Sequence, residues 1–336
     1  MIETILGRLS SGANLTRDEC GELIDAMFEG GLADEQIALA LSALRAKGET
    51  AEEIIGAALV LRQRMTRIGC RHDVFVDTCG TGGDRSGTFN VSTAAALVTA
   101  AAGLPVAKHG NRSFSSKSGS ADVLAALGVN VQAEVAVVES CLDELGICFC
   151  FAPLWHRSMK RVATVRKKLG VPTIFNLLGP LANPAGAPFQ VVGVGRSEMR
   201  TKIAAALMAL GTRGAIVVHG DDGLDEVTLA GATRVSHATP QGVRELCWTP
   251  GDFGLAAAPL DDMLVEGPEE SAALIRRVLA GDDGPARDIV VANAAAALWV
   301  AGRAATTQEA AALAAKAIDS GAAARLLAAL AERSAS

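Results

Sequence analysis

The residues best suited to chemistry run from Asp77 through Thr78, Cys79, Gly80, Thr81, Gly82 and Gly83 to Asp84, with Thr88, Phe89, Asn90, Val91, Ser92 and Thr93 close behind. A glycine turn here joins a short apolar strand, Val74–Val76, to an alanine-rich helix. Such a turn gathers backbone N–H groups and the positive end of a helix dipole around one small volume, which suits a phosphate or pyrophosphate. The loop is neither a dinucleotide fingerprint nor a Walker A loop, because Gly80-x-Gly82-Gly83 lacks the G-x-G-x-x-G spacing and no Gly-Lys-Ser/Thr follows. Asn90, Ser92 and Thr93 offer three short hydrogen-bonding side chains at the helix mouth, where a cap needs one.

A second cradle follows in Lys108, His109, Gly110, Asn111, Arg112, Ser113, Phe114, Ser115, Ser116, Lys117, Ser118, Gly119 and Ser120. A serine-rich linker has a similar composition. This segment, however, is bounded by a strand at Val106-Ala107 and a helix from about Ser120, and its hydroxyls and cations are oxyanion partners. Two phosphate cradles so close together imply a substrate with phosphates at both ends.

Four carboxylates follow a later strand in His219-Gly-Asp-Asp-Gly-Leu-Asp225-Glu226. The spacing does not fit an EF-hand. Read alone, the segment is equally an acidic surface turn; beside two phosphate cradles, Asp225 and Glu226 point to Mg²⁺ held against a pyrophosphate. Arg157, Lys160, Arg161, Arg166, Lys167 and Lys168 form a basic stretch. One of them is expected to meet an anionic co-substrate, and periodicity leaves open which.

These groups need a scaffold. Residues 1–72 read as purely helical: Thr16/Glu19 and Thr50/Glu53 have capping-box spacing, and Gly30-Gly31 and Gly48 stop the intervening helices. This unit is expected to serve packing or dimerisation rather than chemistry. From residue 73 short apolar strands (Val74–Val76, Val106-Ala107, Ile147–Phe151, Phe189–Val194, Ala215–Val218) alternate with helices over 93–102, 120–127, 134–145, 197–210, 270–280, 287–302 and 308–330. The fold class is therefore α/β: a small N-terminal all-helical domain, 1–72, and a larger α/β domain, 73–336, with a mainly parallel central sheet. The proline-rich segment 153–185 is expected to cross back to the helical unit and wall one side of a cleft at the carboxyl ends of the strands.

Composition narrows the function classes. The chain has 336 residues and a net charge of −6, which argues against a general nucleic-acid binder. Seven cysteines, an odd number, fit a reduced cytoplasmic protein; Cys148 and Cys150 read as alternate positions of a strand, with no partner pair at zinc spacing. No signal-peptide pattern or membrane-length apolar run is present.

Taken together, Gly80-Thr-Gly-Gly-Asp84, Asn90-Val-Ser-Thr93, Lys108-His-Gly-Asn-Arg-Ser113, Ser115-Ser-Lys-Ser-Gly-Ser-Ala-Asp122, Thr173-Ile-Phe-Asn-Leu-Leu-Gly-Pro180 and Gly223-Leu-Asp-Glu226 resemble the anthranilate phosphoribosyltransferase family over almost the whole chain. The resemblance implies transfer of a phosphoribosyl group from phosphoribosyl pyrophosphate (PRPP) to the amine of anthranilate in tryptophan biosynthesis, by a homodimer formed through helical domains. It also implies that part of about 165–185 completes the helical domain. By the same resemblance Gly80, Gly83, Asp84, Thr88, Asn90, Val91, Ser92, Thr93, Lys108, His109, Gly110, Asn111, Arg112, Ser113, Phe114, Ser115, Ser116 and Ser120 hold PRPP. Gly80, Asn111 and Arg166 receive anthranilate, and Ser92, Asp225 and Glu226 serve Mg²⁺. Lys108 can add positive charge for the leaving group, and no strong general base is required. Two departures, Arg157-Ser158 after His156 where the family commonly has Pro-Ala, and Gly195 where it often has an aromatic, are expected to affect the aromatic-acid channel and not the phosphate or metal positions. A pyrimidine nucleoside phosphorylase and a noncatalytic nucleic-acid-binding relative are the alternatives.

Overall fold

The computed structural model describes residues 2–84, 86–112 and 118–336. Four helices open the chain: α1 (Ile2–Ser10), α2 (Arg17–Glu29), α3 (Asp34–Lys47) and α4 (Ala51–Arg64). Both expected capping boxes form, with the Thr16 and Thr50 hydroxyls accepting from the N–H groups of Glu19 (3.2 Å) and Glu53 (3.3 Å). Gly30, at φ 87°, ends α2 in the left-handed region that a β-carbon disfavours.

Seven strands follow: β1 (Val76–Asp77), β2 (Val106–Gly110), β3 (Ile147–Phe151), β4 (Phe189–Gly193), β5 (Gly214–Gly220), β6 (Thr233–Thr239) and β7 (Gly242–Trp248). Their order is β3-β2-β1-β4-β5-β6-β7. The pairs from β3 to β5 are parallel, whereas β6 and β7 add an antiparallel hairpin. The helices between and after them are α5 (Val91–Ala101), α6 (Ser120–Ala126), α7 (Val135–Ser140), α8 (Ala152–Trp155), α9 (Met159–Leu169), α10 (Met199–Ala209), α11 (Pro268–Leu279), α12 (Pro285–Val300), α13 (Thr307–Asp319) and α14 (Ala322–Ser334).

Period-two alternation splits the core between the two faces of the sheet. Val191, Ile216 and Val218 pack with α5 and α12 on one face. Val192, Val194, Ala215 and Val217 pack on the other with α1–α4, α10 and residues Val162, Val165, Ile174 and Leu178. The segment 153–185 thus reaches back to the N-terminal helices, as its prolines led us to expect.

Several expected boundaries move. The first strand is Val76–Asp77 rather than Val74–Val76. β2 continues to Gly110, so Lys108 and His109 are strand residues and not a loop. The β6–β7 hairpin is additional, since its mixed polar sequence hides the alternation. The expected helix over 308–330 is two helices, broken where Gly321 takes φ 68°. Among the described residues no helix is long and apolar enough to cross a membrane.

Candidate active site

The carboxyl ends of β1–β4 open into a cleft of about 1310 Å³. Its floor is the glycine loop, and its wall comes from α9 and residues 172–179. Close backbone approach builds the floor. A β-carbon on Gly193 would lie 1.6 Å from the Asp225 carbonyl oxygen, and one on Gly195 would lie 2.8 Å from the Asp84 nitrogen. Only glycine lets the end of β4 and the chain after it lie between the glycine loop and the acidic turn. Gly195 therefore does touch the glycine loop expected to hold phosphate, contrary to the sequence expectation, because the β4 exit packs directly on Gly83-Asp84.

Gly80, Gly83, Asp84, Thr88, Asn90, Val91, Ser92, Lys108, His109, Gly110, Asn111, Arg112, Ser120, Arg166, Asp225 and Glu226 all line this cleft. Thr93 is the exception: it is buried behind the loop, with its hydroxyl 3.4 Å from Asn90 Oδ1. Ser113, Phe114, Ser115 and Ser116 lie outside the described residues. Asn90, just ahead of α5, forms no side-chain cap; its amide donates to the Ser118 carbonyl (3.0 Å) and ties the two cradles together.

Charge concentrates at one end. Lys108 is 3% exposed, and its Nζ donates to the Thr78 carbonyl (2.9 Å) and to Ser92 Oγ (3.4 Å). Glu226 Oε1 accepts the Ser92 N–H at 3.1 Å. Burial pushes the Glu226 carboxyl up to about 7 against the pull of Lys108, with Asp84 adding to the rise. Asp225 is raised well above the usual carboxylate range by burial, then by the charges of Asp84 and Glu226. Crowded, desolvated carboxylates are relieved by a cation. Asp225, Glu226 and the Ser92 hydroxyl are hard oxygen donors, and they fit a hard divalent ion.

A second group with metal-ligating atoms, Asp77, Cys79 and His109, has those atoms within 4.8 Å of one another. Its donors are already committed. The Asp77 carboxylate accepts from the His109 N–H (3.0 Å) and from Asn183 Nδ2 (2.7 Å), and burial raises its carboxyl to about 6. His109 Nδ1 donates to the Gly179 carbonyl (2.9 Å), and its Nε2 meets His156 Nε2 at 3.2 Å. Burial holds His109 down at about 4 and His156 at about 3, so both rings are neutral at pH 7. This is a structural knot that fixes β1 to β2.

At the other end, Arg166 Nη2 donates to Asn176 Oδ1 (3.1 Å), and its guanidinium lies 5.6 Å from the Phe175 ring centroid. Burial lowers its pKa. Asn176 Oδ1 also accepts the Thr173 N–H (2.9 Å), which fixes it as an acceptor for the arginine. Among the other basic residues, Arg157, Lys160 and Lys167 line the cleft. The helical unit, expected to serve packing or dimerisation, also reaches the site: Arg45, Glu49 and Leu61 line it. Glu49 is buried and faces Arg196 at 3.7 Å. Nothing in the local sequence marks Arg45 or Glu49, because only the packing of α3 on α9 and of α4 on α10 carries them there.

Residues 72–324 match the family model described as a glycosyl transferase family a/b domain, and residues 3–65 match its helical bundle domain. An anthranilate phosphoribosyltransferase of Moorella thermoacetica is 49% identical over 98% of this chain and 97% of its own. One from Rhodopirellula baltica is 49% identical over 96% and 94%. The chain belongs to the anthranilate phosphoribosyltransferase family. Among solved members, the Thermus thermophilus enzyme superposes with a TM-score of 0.92 at 42% identity, covering 99% of both chains. The Saccharomyces cerevisiae enzyme in complex with PRPP and Mg gives a TM-score of 0.91 at 28% identity, covering 99% of this chain and 98% of its own.

Proposed function

We propose that this anthranilate phosphoribosyltransferase family member transfers the 5-phosphoribosyl group of PRPP to the amine of anthranilate, in tryptophan biosynthesis. One observation carries the reading: a single cleft has buried Lys108 beside half-buried Asp225 and Glu226 at one end and Arg166, seated on Phe175 and Asn176, at the other. The first set suits a pyrophosphate with its cation, the second the carboxylate of an aromatic acid. Gly80, Gly83, Asp84, Thr88, Asn90, Val91, Ser92, Lys108–Ser116 and Ser120 would hold PRPP, with Thr93 supporting Asn90 from behind, and Asn111 with Arg166 and Gly80 would hold the acceptor.

In the transfer, the amine nitrogen bonds to the sugar C1 as the C1–oxygen bond to pyrophosphate breaks, and the amine releases a proton. Asp225, Glu226 and Ser92 would hold Mg²⁺, which supplies charge neutralisation for the leaving pyrophosphate. Lys108 adds a fixed positive charge beside Ser92. An aromatic amine is neutral at pH 7, so the chain's contribution is to align the reactants and to stabilise developing charge.

The residues around 1–72 and part of 165–185 form the helical domain of this reading, and 73–336 the α/β domain. A homodimer through the helical domain belongs to this reading. Seven free cysteines support a reducing, cytoplasmic setting. The test follows anthranilate fluorescence with purified protein, PRPP and Mg²⁺. The signal should fall only when all three are present; a flat trace from folded protein rejects the assignment.

A further inference from the structure

Helix α12 is buried along most of its length by Ile289, Val290, Val291, Ala292, Ala294, Ala295, Ala296, Ala297 and Leu298, yet Asn293 sits in the middle of that run. An amide buried there is costly unless each polar atom is paired. Asn293 pairs all of them. Its Oδ1 accepts the Val227 N–H at 2.9 Å, while its Nδ2 donates to the Val227 carbonyl at 2.9 Å and to the Ile289 carbonyl at 2.9 Å. The side chain thus grips both backbone groups of a single residue, as a neighbouring strand would.

That residue is the one directly after Asp225-Glu226. On the opposite side, the Asp225 carbonyl is pressed against Gly193, where a β-carbon would stand 1.6 Å away. Glu226 is held at a third point by the Ser92 N–H, 3.1 Å from Oε1. The acidic turn is therefore fixed from β4, α5 and α12 at once. A merely space-filling role at 293 would be met by an apolar side chain, as at every neighbouring position of the helix.

We propose that Asn293 is a positioning residue for the cation site: its two-point grip on Val227 aims the Asp225 and Glu226 carboxylates. This rests on the reading above that those carboxylates hold a divalent cation with PRPP. The test titrates Mn²⁺, followed by electron paramagnetic resonance, into native and Asn293→Ala protein with PRPP present and anthranilate absent. Loss of an outer partner of metal ligands typically weakens metal binding roughly 10–100-fold, and about tenfold is expected here. The anthranilate KM at saturating Mg²⁺ should stay unchanged. Asn293→Ser is the companion variant: a serine satisfies itself on the carbonyl four residues back, Ile289, and releases Val227 without an unpaired hydroxyl. If the alanine variant does not fold, the serine variant carries the same expectation. Folded variants that take up Mn²⁺ within twofold of the native constant would overturn the role of Asn293. Native protein that takes up no Mn²⁺ with PRPP would overturn the cation reading itself, and the role of Asn293 with it.

Discussion

The two ends of the cleft are built differently. The proposed phosphate end is made of backbone: the glycine loop lies on Gly195, Gly193 lies on Asp225, and Lys108 and Glu226 are anchored to main-chain atoms of Thr78 and Ser92. The proposed acceptor end is made of side chains from separate segments, with Arg166 on α9 resting on Phe175 and Asn176, and Arg45 arriving from the helical unit to donate to the Pro172 carbonyl. A backbone cradle tolerates little change, because each contact is fixed by the fold. A side-chain wall can change one contact at a time. Substitutions at the first end should therefore disable the protein broadly, and those at the second should alter one substrate's affinity.

The largest effect is expected from Gly193→Ala. Its β-carbon would overlap the Asp225 carbonyl, and the backbone shift needed to relieve that costs about 3 kcal/mol or more. Thermal melting should show a much less stable protein; an unchanged melting temperature would break the picture of a rigid cradle.

Next comes the joint replacement Asp225→Ala with Glu226→Ala. It should lower kcat/KM by roughly 10³-fold, several kcal/mol of charge stabilisation, and blunt the response to Mg²⁺. A metal response like the native one would return these residues to an ordinary acidic turn.

Arg166→Ala removes a charge-assisted contact of about 1.5–3 kcal/mol, so the anthranilate KM should rise roughly 10–100-fold with little change for PRPP. If both constants rose together, the two ends would not be separable.

The pH dependence sharpens the contrast further. With Glu226 raised to about 7, its proton competes with a cation, so Mg²⁺ binding should weaken as pH falls through 7, by up to about tenfold per unit below it. The linkage has a definite sign. The folded pKa is above the unfolded value, so protonation of Glu226 favours the metal-free folded state at low pH and that advantage is lost as pH rises through about 7. Glu226→Gln should reduce this dependence and leave the part that the raised Asp225 carboxyl contributes. The smallest effect belongs to Lys167→Ala on the exposed face of α9, expected to change the anthranilate kcat/KM by about two- to threefold and only at low salt.

The same contrast decides what was legible in the sequence. The phosphate end was readable because a glycine turn, polar helix mouth and adjacent carboxylates lie in short continuous segments whose chemistry is local. Even so, Lys108 and His109 looked like loop residues. Their polarity disguised a largely buried strand in which Lys108 finds Thr78 and His109 finds Asp77, Gly179 and His156. Arg166 could be set apart from the other basic residues of α9 only by resemblance, since its distinction is burial against Phe175 and Asn176. Arg45 and Glu49 carry no local signal, and Asn293 shows only as a lone amide in an apolar run; each reaches the site through packing between distant elements. The β6–β7 hairpin escaped for another reason: β7 is a half-exposed edge strand, and its polar residues blur the alternation that marked the inner strands.

The division of labour is tested most directly by calorimetric titration of PRPP, with Mg²⁺ present, into native protein, Arg166→Ala and the Asp225→Ala/Glu226→Ala double variant. The account predicts native-like PRPP affinity in Arg166→Ala and a loss of at least about tenfold in the double variant. Equal losses in both, or none in the double variant, would contradict it.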